Sequence, residues 1–217
     1  MPSTRTALTT EKNKVPYIAM WSGETAEDPR LVELPGGAGI AYADEILGDR
    51  DSRGVLWDRA TVNPGQGTPR FAQIHVHRQR RAMRKLLCQV CAGPADQDDH
   101  GVLWLIPDRT RHWPDWPEGM LVAEPPICRP CLSLSVRVCP ALRAEGHLVI
   151  RAREHPTYGV EGFRYRTGPT PVDHGTTSFT DPAIRRTPAS KLVRTLRHCT
   201  VEEPRGPYSA GARDIGP

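Results

Sequence analysis

Apolar and polar positions change places in short blocks along this chain, and few blocks are long enough to make a helix. From Val15 to Arg70, brief apolar runs such as "PYIAMW", "RLVELPGGAGIAYADE" and "GVLW" are broken by Pro-Gly-Gly at 35–37 and Asn-Pro-Gly at 63–65. Runs of that length between such punctuation predict short β-strands. "FAQIHVH" continues extended, placing Phe71, Gln73, His75 and His77 on one face and Ile74 and Val76 on the other. The two histidines read as an exposed polar strand face, with metal or phosphate contact as the alternative. The period then changes. In "HRQRRAMRKLLCQV", Met83, Leu86 and Leu87 fall at helical spacing while Arg80, Arg81, Arg84 and Lys85 fill the remaining positions, which predicts a short amphipathic helix.

Farther on, "VLWLIP", "MLVAEPPI", "GHLVIRAREHP" and "YGVEGFRYR" read as strands, and "RHWPDWPEGM" reads as a Trp/Pro loop. "LSLSVRV" supports two readings: its strict alternation suits a strand, while Leu134, Val138 and Leu142 suit one helical stripe. Residues 167–182 read as a linker. "ASKLVRTLRHC" reads as a C-terminal helix within 183–200, burying Leu192, Val193 and Leu196. The ends, 1–14 and 201–217, are polar and without period, a flexible arm and a disordered tail. Residues 15–166 then form one α+β domain rich in short strands. One echo stands out: "DRDSRGVLW" (49–57) and "DQDDHGVLW" (96–104) each lead an acidic turn and a Gly into the same Val-Leu-Trp, aligning His100 with Arg53.

Composition argues that this domain needs a staple. Gly and Pro number 19 and 22 in 217 residues, hydrophobic content is 38% and aromatic content 6%, so burial alone is a thin source of stability. No apolar run is long enough for a membrane span, and the N-terminus has no apolar h-region. The expected compartment is the cytoplasm, where thiols stay reduced.

The staple is visible as two Cys-x-x-Cys pairs, Cys88/Cys91 and Cys128/Cys131. Two tight turns each aiming two thiolates at one ion are what a tetrahedral zinc site requires. Gly93, in "CQVCAG", suits the turn because Gly tolerates positive φ. A redox pair would call for one pair in a thioredoxin-like setting, and a disulfide framework for an oxidising compartment. The Zn²⁺ would be structural, since four thiolates leave no open position for water or substrate. Cys139 and Cys199 have no partner at ligand spacing and read as buried free thiols.

A Cys pair, two strands and a second Cys pair opening a helix resembles a treble-clef zinc finger, with a zinc ribbon as the alternative if 132–138 is a strand. The arrangement also resembles the zinc-bearing branch of the HNH endonucleases, over about residues 83–143. In that family a His after the first knuckle, usually following Asp, is the general base beside a catalytic metal, so the resemblance puts Asp99 and His100 in that place. The chain departs from the family afterwards: "AEPPICRPC" stands where an Asn-Leu segment is expected, Leu132 stands where the family has His or Asn, and "CLSLSV" offers no further ligand. A base without a metal partner cannot activate water against a phosphodiester at a useful rate. His100 therefore reads as a turn residue. The chain is also similar to small actinobacterial proteins with Arg-rich, Lys-poor usage, a likeness that implies no activity.

Charge completes the picture. The net value is +4, and only Lys12, Lys14, Lys85 and Lys191 are lysines, a bias that a GC-rich genome explains as readily as phosphate recognition. The cations are grouped. Arg78, Arg80, Arg81, Arg84 and Lys85 share one block, and Arg185, Arg186, Lys191, Arg194 and Arg197 another, while 91–127 is acidic apart from Arg109 and Arg111. Cations beside a zinc knuckle can grip phosphates. Trp113 and Trp116 could form a stacking platform or a partner-binding knob, and the preferred reading is a plug over the zinc site. The sequence thus points to a non-enzymatic, zinc-binding protein, nucleic-acid-binding or regulatory, with the basic helix at 78–85 as its contact surface and the 185–197 helix as a candidate addition beside it. A metal-dependent nuclease centred on Asp99 and His100, and a protein-interaction adaptor using the Trp113/Trp116 loop, are the alternatives. No small-molecule substrate is evident.

Overall fold

The computed structural model describes residues 14–108, 113–168 and 170–202. Residues 1–13 of the arm, Arg109 and Arg111, and residues 203–217 of the tail lie outside the described residues. The first part of the chain folds, as expected, into short strands: β1 (Ala19–Trp21), β2 (Leu31–Glu33), β3 (Ile40–Tyr42) and β4 (Pro69–Ile74). β1 pairs with β4, and β2 with β3, both antiparallel. Helix α1 (Val76–Lys85) follows. Next come β5 (Gln97–Asp98), β6 (Gly101–Pro107), β7 (Leu121–Val122), α2 (Arg129–Val138) and the short α3 (Pro140–Glu145). The chain ends in β8 (His147–Glu154), β9 (Thr157–Tyr165), β10 (Pro171–Ser178), β11 (Ala189–Thr195) and β12 (Arg197–Glu202). The class is α+β, β-rich with few short helices. Among the described residues no helix is long and apolar enough to cross a membrane.

Two four-stranded antiparallel sheets carry the architecture, in the orders β12-β8-β6-β5 and β10-β9-β11-β7. The chain passes between them at His155-Pro156 and again at Leu196, and Thr195 N–H donates to Pro156 C=O at 3.0 Å to hold the two crossings together. Strand β6 is buried from Gly101 to Ile106, which requires cover on both faces. Val102, Trp104 and Ile106 join Ile150, Val160, Leu192, Leu196 and Met83 in the main core. Leu103 and Leu105 join Val149 in a second core that contains Cys88, Cys131 and Ile127. The cysteine pairs therefore sit on the far side of the central sheet from α1 and the β9/β11 sheet.

Four expectations are corrected. The alternation of Phe71, Gln73, His75 and His77 stops at Ile74: His75 is the residue before α1, fully buried with Nε2 3.0 Å from Thr61 C=O, while His77 is exposed on the helix. The expected linker at 167–182 contains β10, paired along its length with β9. The expected C-terminal helix is two strands. β11 runs buried through Leu192, Val193, Arg194 and Thr195, so the segment reads as a continuous run without strand alternation and imitates a helical stripe. Val201 and Glu202, which read as tail, belong to β12. The ambiguous stretch at 132–138 is helical, with Leu134 buried.

Helix α1 is where side-chain chemistry departs furthest from the apolar pattern. Its buried residues are Val76, Arg78, Gln79, Ala82 and Met83, with His75 buried at its cap, so half of this buried set is polar. Arg78 donates to both carboxylate oxygens of Glu24, at 2.5 and 2.6 Å, and to Ala19 C=O at 2.7 Å. Glu24 is wholly buried and accepts in addition from the Trp21 and Asn63 amides at 2.9 and 3.1 Å. Gln79 closes a three-way link, donating to Ala123 and Leu192 carbonyls at 2.7 and 2.9 Å and accepting from Leu192 N–H at 2.9 Å. These bonds fasten α1 to β1, to β11 and to the segment after β7.

Burial pushes the Glu24 carboxyl up, but the Arg78 hydrogen bonds, the Trp21 amide and the Arg78 charge outweigh it and hold the pKa at about 2, against an ordinary 4.5. A depressed carboxyl contributes stability that is whole above its unfolded pKa and is lost on acidification. The Glu24 contribution is thus expected to be complete above pH 4.5 and to vanish as pH falls toward about 2. Glu24→Gln leaves the Arg78 charge buried without its counter-ion and is expected to cost about 3–5 kcal/mol in urea unfolding at neutral pH. A loss no larger than the roughly 0–1 kcal/mol of an exposed pair would remove the pair from this role.

Candidate metal centre

The first cysteine turn begins where α1 stops. Leu86 takes a left-handed conformation, φ 51°, and Leu87 N–H bonds back to Ala82 C=O at 2.9 Å. Cys88 N–H then donates to Gly93 C=O at 2.7 Å, and Ala92 N–H to Cys88 C=O at 2.9 Å, a closed turn that points both thiols to one side. The positive φ expected of Gly93 falls on Ala92 instead, at 60°. Gly93 lies against the Cys91 sulfur, which a Cβ would approach to 3.5 Å.

The second pair opens α2. Cys128 is its extended cap residue and Cys131 lies in its first turn, with Leu132 N–H bonded to Cys128 C=O at 2.9 Å. Backbone bonds bring the two turns to each other and to the central sheet. Gln89 N–H donates to Pro126 C=O at 3.0 Å, Asp96 N–H to Ile127 C=O at 3.1 Å, and Ile127 N–H to Leu103 C=O at 3.0 Å. The N-terminal segment joins from another side, with Tyr17 N–H on Val90 C=O at 3.0 Å.

The result brings together the four predicted ligands Cys88, Cys91, Cys128 and Cys131, whose sulfurs all lie within 4.8 Å of one another. All four are free thiols. The Cys91 and Cys128 sulfurs are 3.7 Å apart, and the edge of a zinc–thiolate tetrahedron built on bonds of about 2.3 Å is about 3.8 Å. Donor type, number and spacing therefore fit a metal ion such as zinc. Burial pushes the Cys88 and Cys131 thiols up. Burial acts the same way on Cys91, but the Gly93 amide and the neighbouring thiols outweigh it and hold that group down. A metal must displace the protons that the buried pair holds, so its affinity falls on acidification. The Val90 amide, 3.4 Å from the Cys88 sulfur, and the Lys14 ammonium, 3.7 Å from the Cys131 sulfur, would offset part of the charge of four thiolates.

A cation network that nothing in the pattern signals sets the second turn in place. Arg129, inside "CRPC", donates to both oxygens of Glu202 at 2.5 and 2.6 Å. Arg151 of β8, nearly fully buried, grips the same Glu202 at 2.6 Å, Gly101 C=O at 2.9 Å, and the Asp96 carboxylate. Its Nε also lies 3.0 Å from Asp98. Glu202 stands where the sequence reads as tail, and Arg151 falls in a strand whose alternation reads as routine. Only the three-dimensional pairing gives them a purpose.

The other predicted site residues are dispersed. His100 and Asp99 are exposed in the β5–β6 turn, where His100 N–H donates to Asp98 Oδ1 at 2.8 Å. The echoed turn repeats the device: Arg53 N–H donates to Asp51 Oδ1 at 2.9 Å, and Gly54 and Gly101 both carry positive φ, 78° and 111°. His100 and Arg53 thus occupy one turn position, as the echo implies. Of the first basic block, Arg78 is committed to Glu24, and Arg80 lies over the Trp57 ring at 4.0 Å and 3.6 Å from Asp51. Arg81, Arg84 and Lys85 are exposed, Arg81 reaching the Tyr17 hydroxyl at 3.3 Å. In the second block, Arg194 is buried, with Nε donating to Met83 C=O at 3.0 Å. Lys191 pairs with Glu161 at 2.7 Å and Arg186 with Glu33 at 3.1 Å. Trp113 and Trp116 meet edge to face at 6.4 Å and pack on the main core, so they plug the side of the sheet opposite the cysteines. Cys139 and Cys199 are half-buried, away from the cluster.

No family model, no curated protein and no solved structure matches this chain.

Cys88→Ser or Cys131→Ser is expected to abolish stoichiometric metal binding and to lower the melting temperature by roughly 10 °C or more, since several kcal/mol of folding energy rest on the ion. Cys139→Ser and Cys199→Ser should keep both properties. Metal content and thermal melting of the four variants decide it, and equal metal loss in Cys139→Ser would contradict the assignment of ligands.

Proposed function

We propose that this protein is a non-enzymatic binding or regulatory factor built on a structural zinc finger of treble-clef type, and that nucleic acid is its partner. The observation that carries the reading is the cluster of four cysteines: as thiolates they would saturate an ion and leave no position for water or substrate. The order of elements supports the treble clef over the zinc ribbon, because a knuckle is followed by the β5–β6 hairpin and then by a helix, not a strand, bearing the second pair. A reducing compartment, the cytoplasm, is part of the same reading, since such thiolates persist where thiols are not oxidised.

The contact surface we assign is smaller than the sequence block. Arg78 and Arg80 are occupied within the fold, which leaves Arg81, Arg84 and Lys85 on the exposed side of α1, immediately before the first knuckle. Three exposed cations on a rigid helix suit contacts to phosphate rather than to base edges, and the expected binding is independent of sequence and steep in salt. The nuclease alternative draws less support. The Asp98 carboxylate next to Asp99 and His100 is held by a backbone amide and by Arg151, so that carboxylate serves an arginine rather than a second metal.

Gel retardation of random duplex DNA across a salt series tests the proposal. The wild type should bind at low salt. Combined Arg81→Ala, Arg84→Ala and Lys85→Ala should weaken binding and flatten the logarithmic salt slope by up to about 0.9 for each phosphate no longer neutralised. Absence of retardation at low salt, or an unchanged slope in the triple variant, would exclude nucleic acid as the partner of this face.

A further inference from the structure

The four sulfurs are not equivalent. Cys88 and Cys131 are 0% and 2% exposed and belong to the second core, whereas Cys91 is exposed and Cys128 half-buried. The Val90 amide backs Cys88 and the Lys14 ammonium backs Cys131, while the Gly93 amide backs Cys91. The outer two face each other across the knuckles at 3.7 Å. The cluster thus has an inner pair that anchors and an outer pair that solvent can reach, and each pair takes one cysteine from each turn.

We propose that Cys91 is an oxidation site for peroxides and that Cys128, not its sequence neighbour Cys88, resolves it. This rests on the cluster being loaded with zinc as thiolates, as proposed above. The Cys91 thiolate attacks one peroxide oxygen; an S–O bond forms, the O–O bond breaks, and the leaving hydroxide takes a proton to become water. The Cys128 thiolate then attacks the sulfenic sulfur; an S–S bond forms, the S–O bond breaks, and a second water departs after protonation. Two thiolates, one peroxide and two protons become one disulfide and two waters. Cys88 and Cys131 alone would then be left to hold a bound ion, two sulfurs in place of four, and would not retain it. A bridge of this kind joins the two knuckles covalently, so α2 stays fastened to the first turn after the metal has gone. A bridge within either Cys-x-x-Cys pair would leave the turns separate. The site is therefore fitted to surrender zinc without surrendering its closure. Cys199 is a poor competitor, because burial and the Glu118 carboxylate push its thiol up to about 12.

Full-length protein of measured zinc content, treated with increasing hydrogen peroxide, tests this without any substitution. Released zinc is followed with a chromophoric chelator, remaining thiols are alkylated, and disulfides are mapped by peptide mass spectrometry under non-reducing conditions. The expected result is loss of one zinc in step with a Cys91–Cys128 bridge, with Cys88 and Cys131 recovered as alkylated thiols. A bridge mainly of Cys88–Cys91 or Cys128–Cys131, or oxidation of Cys139 and Cys199 while the four ligands stay intact, would overturn the proposal. A second readout is the order of alkylation of the untreated protein, in which Cys91 should be labelled first; earlier labelling of Cys88 or Cys131 would also overturn it. Absence of zinc in the starting material would overturn the zinc reading and this proposal with it, whereas zinc present with a different bridge would overturn this proposal alone.

Discussion

The structure depends on one strand being covered from both sides. β6 offers Val102, Trp104 and Ile106 to one core and Leu103 and Leu105 to the other. Helix α1 and the second sheet cover the first face. The second face is covered by two short turns and the first turns of α2, elements too small to bury much apolar area. A metal held by the four clustered cysteines would allow such small elements to act as a wall, because it would join distant parts of the chain at one point. The backbone bonds from Gln89 to Pro126 and from Ile127 to Leu103 set those parts against β6 in register.

The opposite face is held by a different chemistry. Glu24, Arg78 and Gln79 put charge and amide groups where a helix usually buries hydrocarbon, and each is tied to at least two other segments. Such an arrangement gives directional attachment at the cost of desolvation, and it works only while every partner is present. Arg151, Glu202 and Arg129 repeat the principle beside the cysteines, joining β8, β12 and α2. A chain with few aromatics and many turns is thus organised by its cysteine cluster and by arginine–carboxylate pairs as much as by its cores.

Much of this is legible in the sequence, and what is not has a common cause. The clustering of the four cysteines, the short strands before Arg70, the helix at α1 and the strands β6, β8 and β9 follow from spacing and periodicity. The echo of "DSRGVLW" and "DDHGVLW" correctly foretells two equal turns, each closed by an Asp side chain on the amide two residues on. Failures fall where a segment is buried on both faces, as in β11, since a strand without alternation looks like a helix. They also fall where a charge turns inward. Arg78, Arg80 and Arg194 read as a binding surface because arginine is rarely buried, and only their partners Glu24, Trp57 and Met83, distant in sequence, show otherwise. The Trp113/Trp116 loop covers the other core from the one expected, for a similar reason: its plugging role is readable from the chain, its side of the sheet is not.

We propose that one closed sulfur tetrahedron fastens the two turns to β6. X-ray absorption at the zinc edge of the purified protein tests it most directly. The account predicts one ion per chain with a single shell of four sulfurs at about 2.3 Å and no nitrogen or oxygen neighbour. A mixed shell with nitrogen or oxygen, or a protein that folds fully without any bound metal, would contradict it.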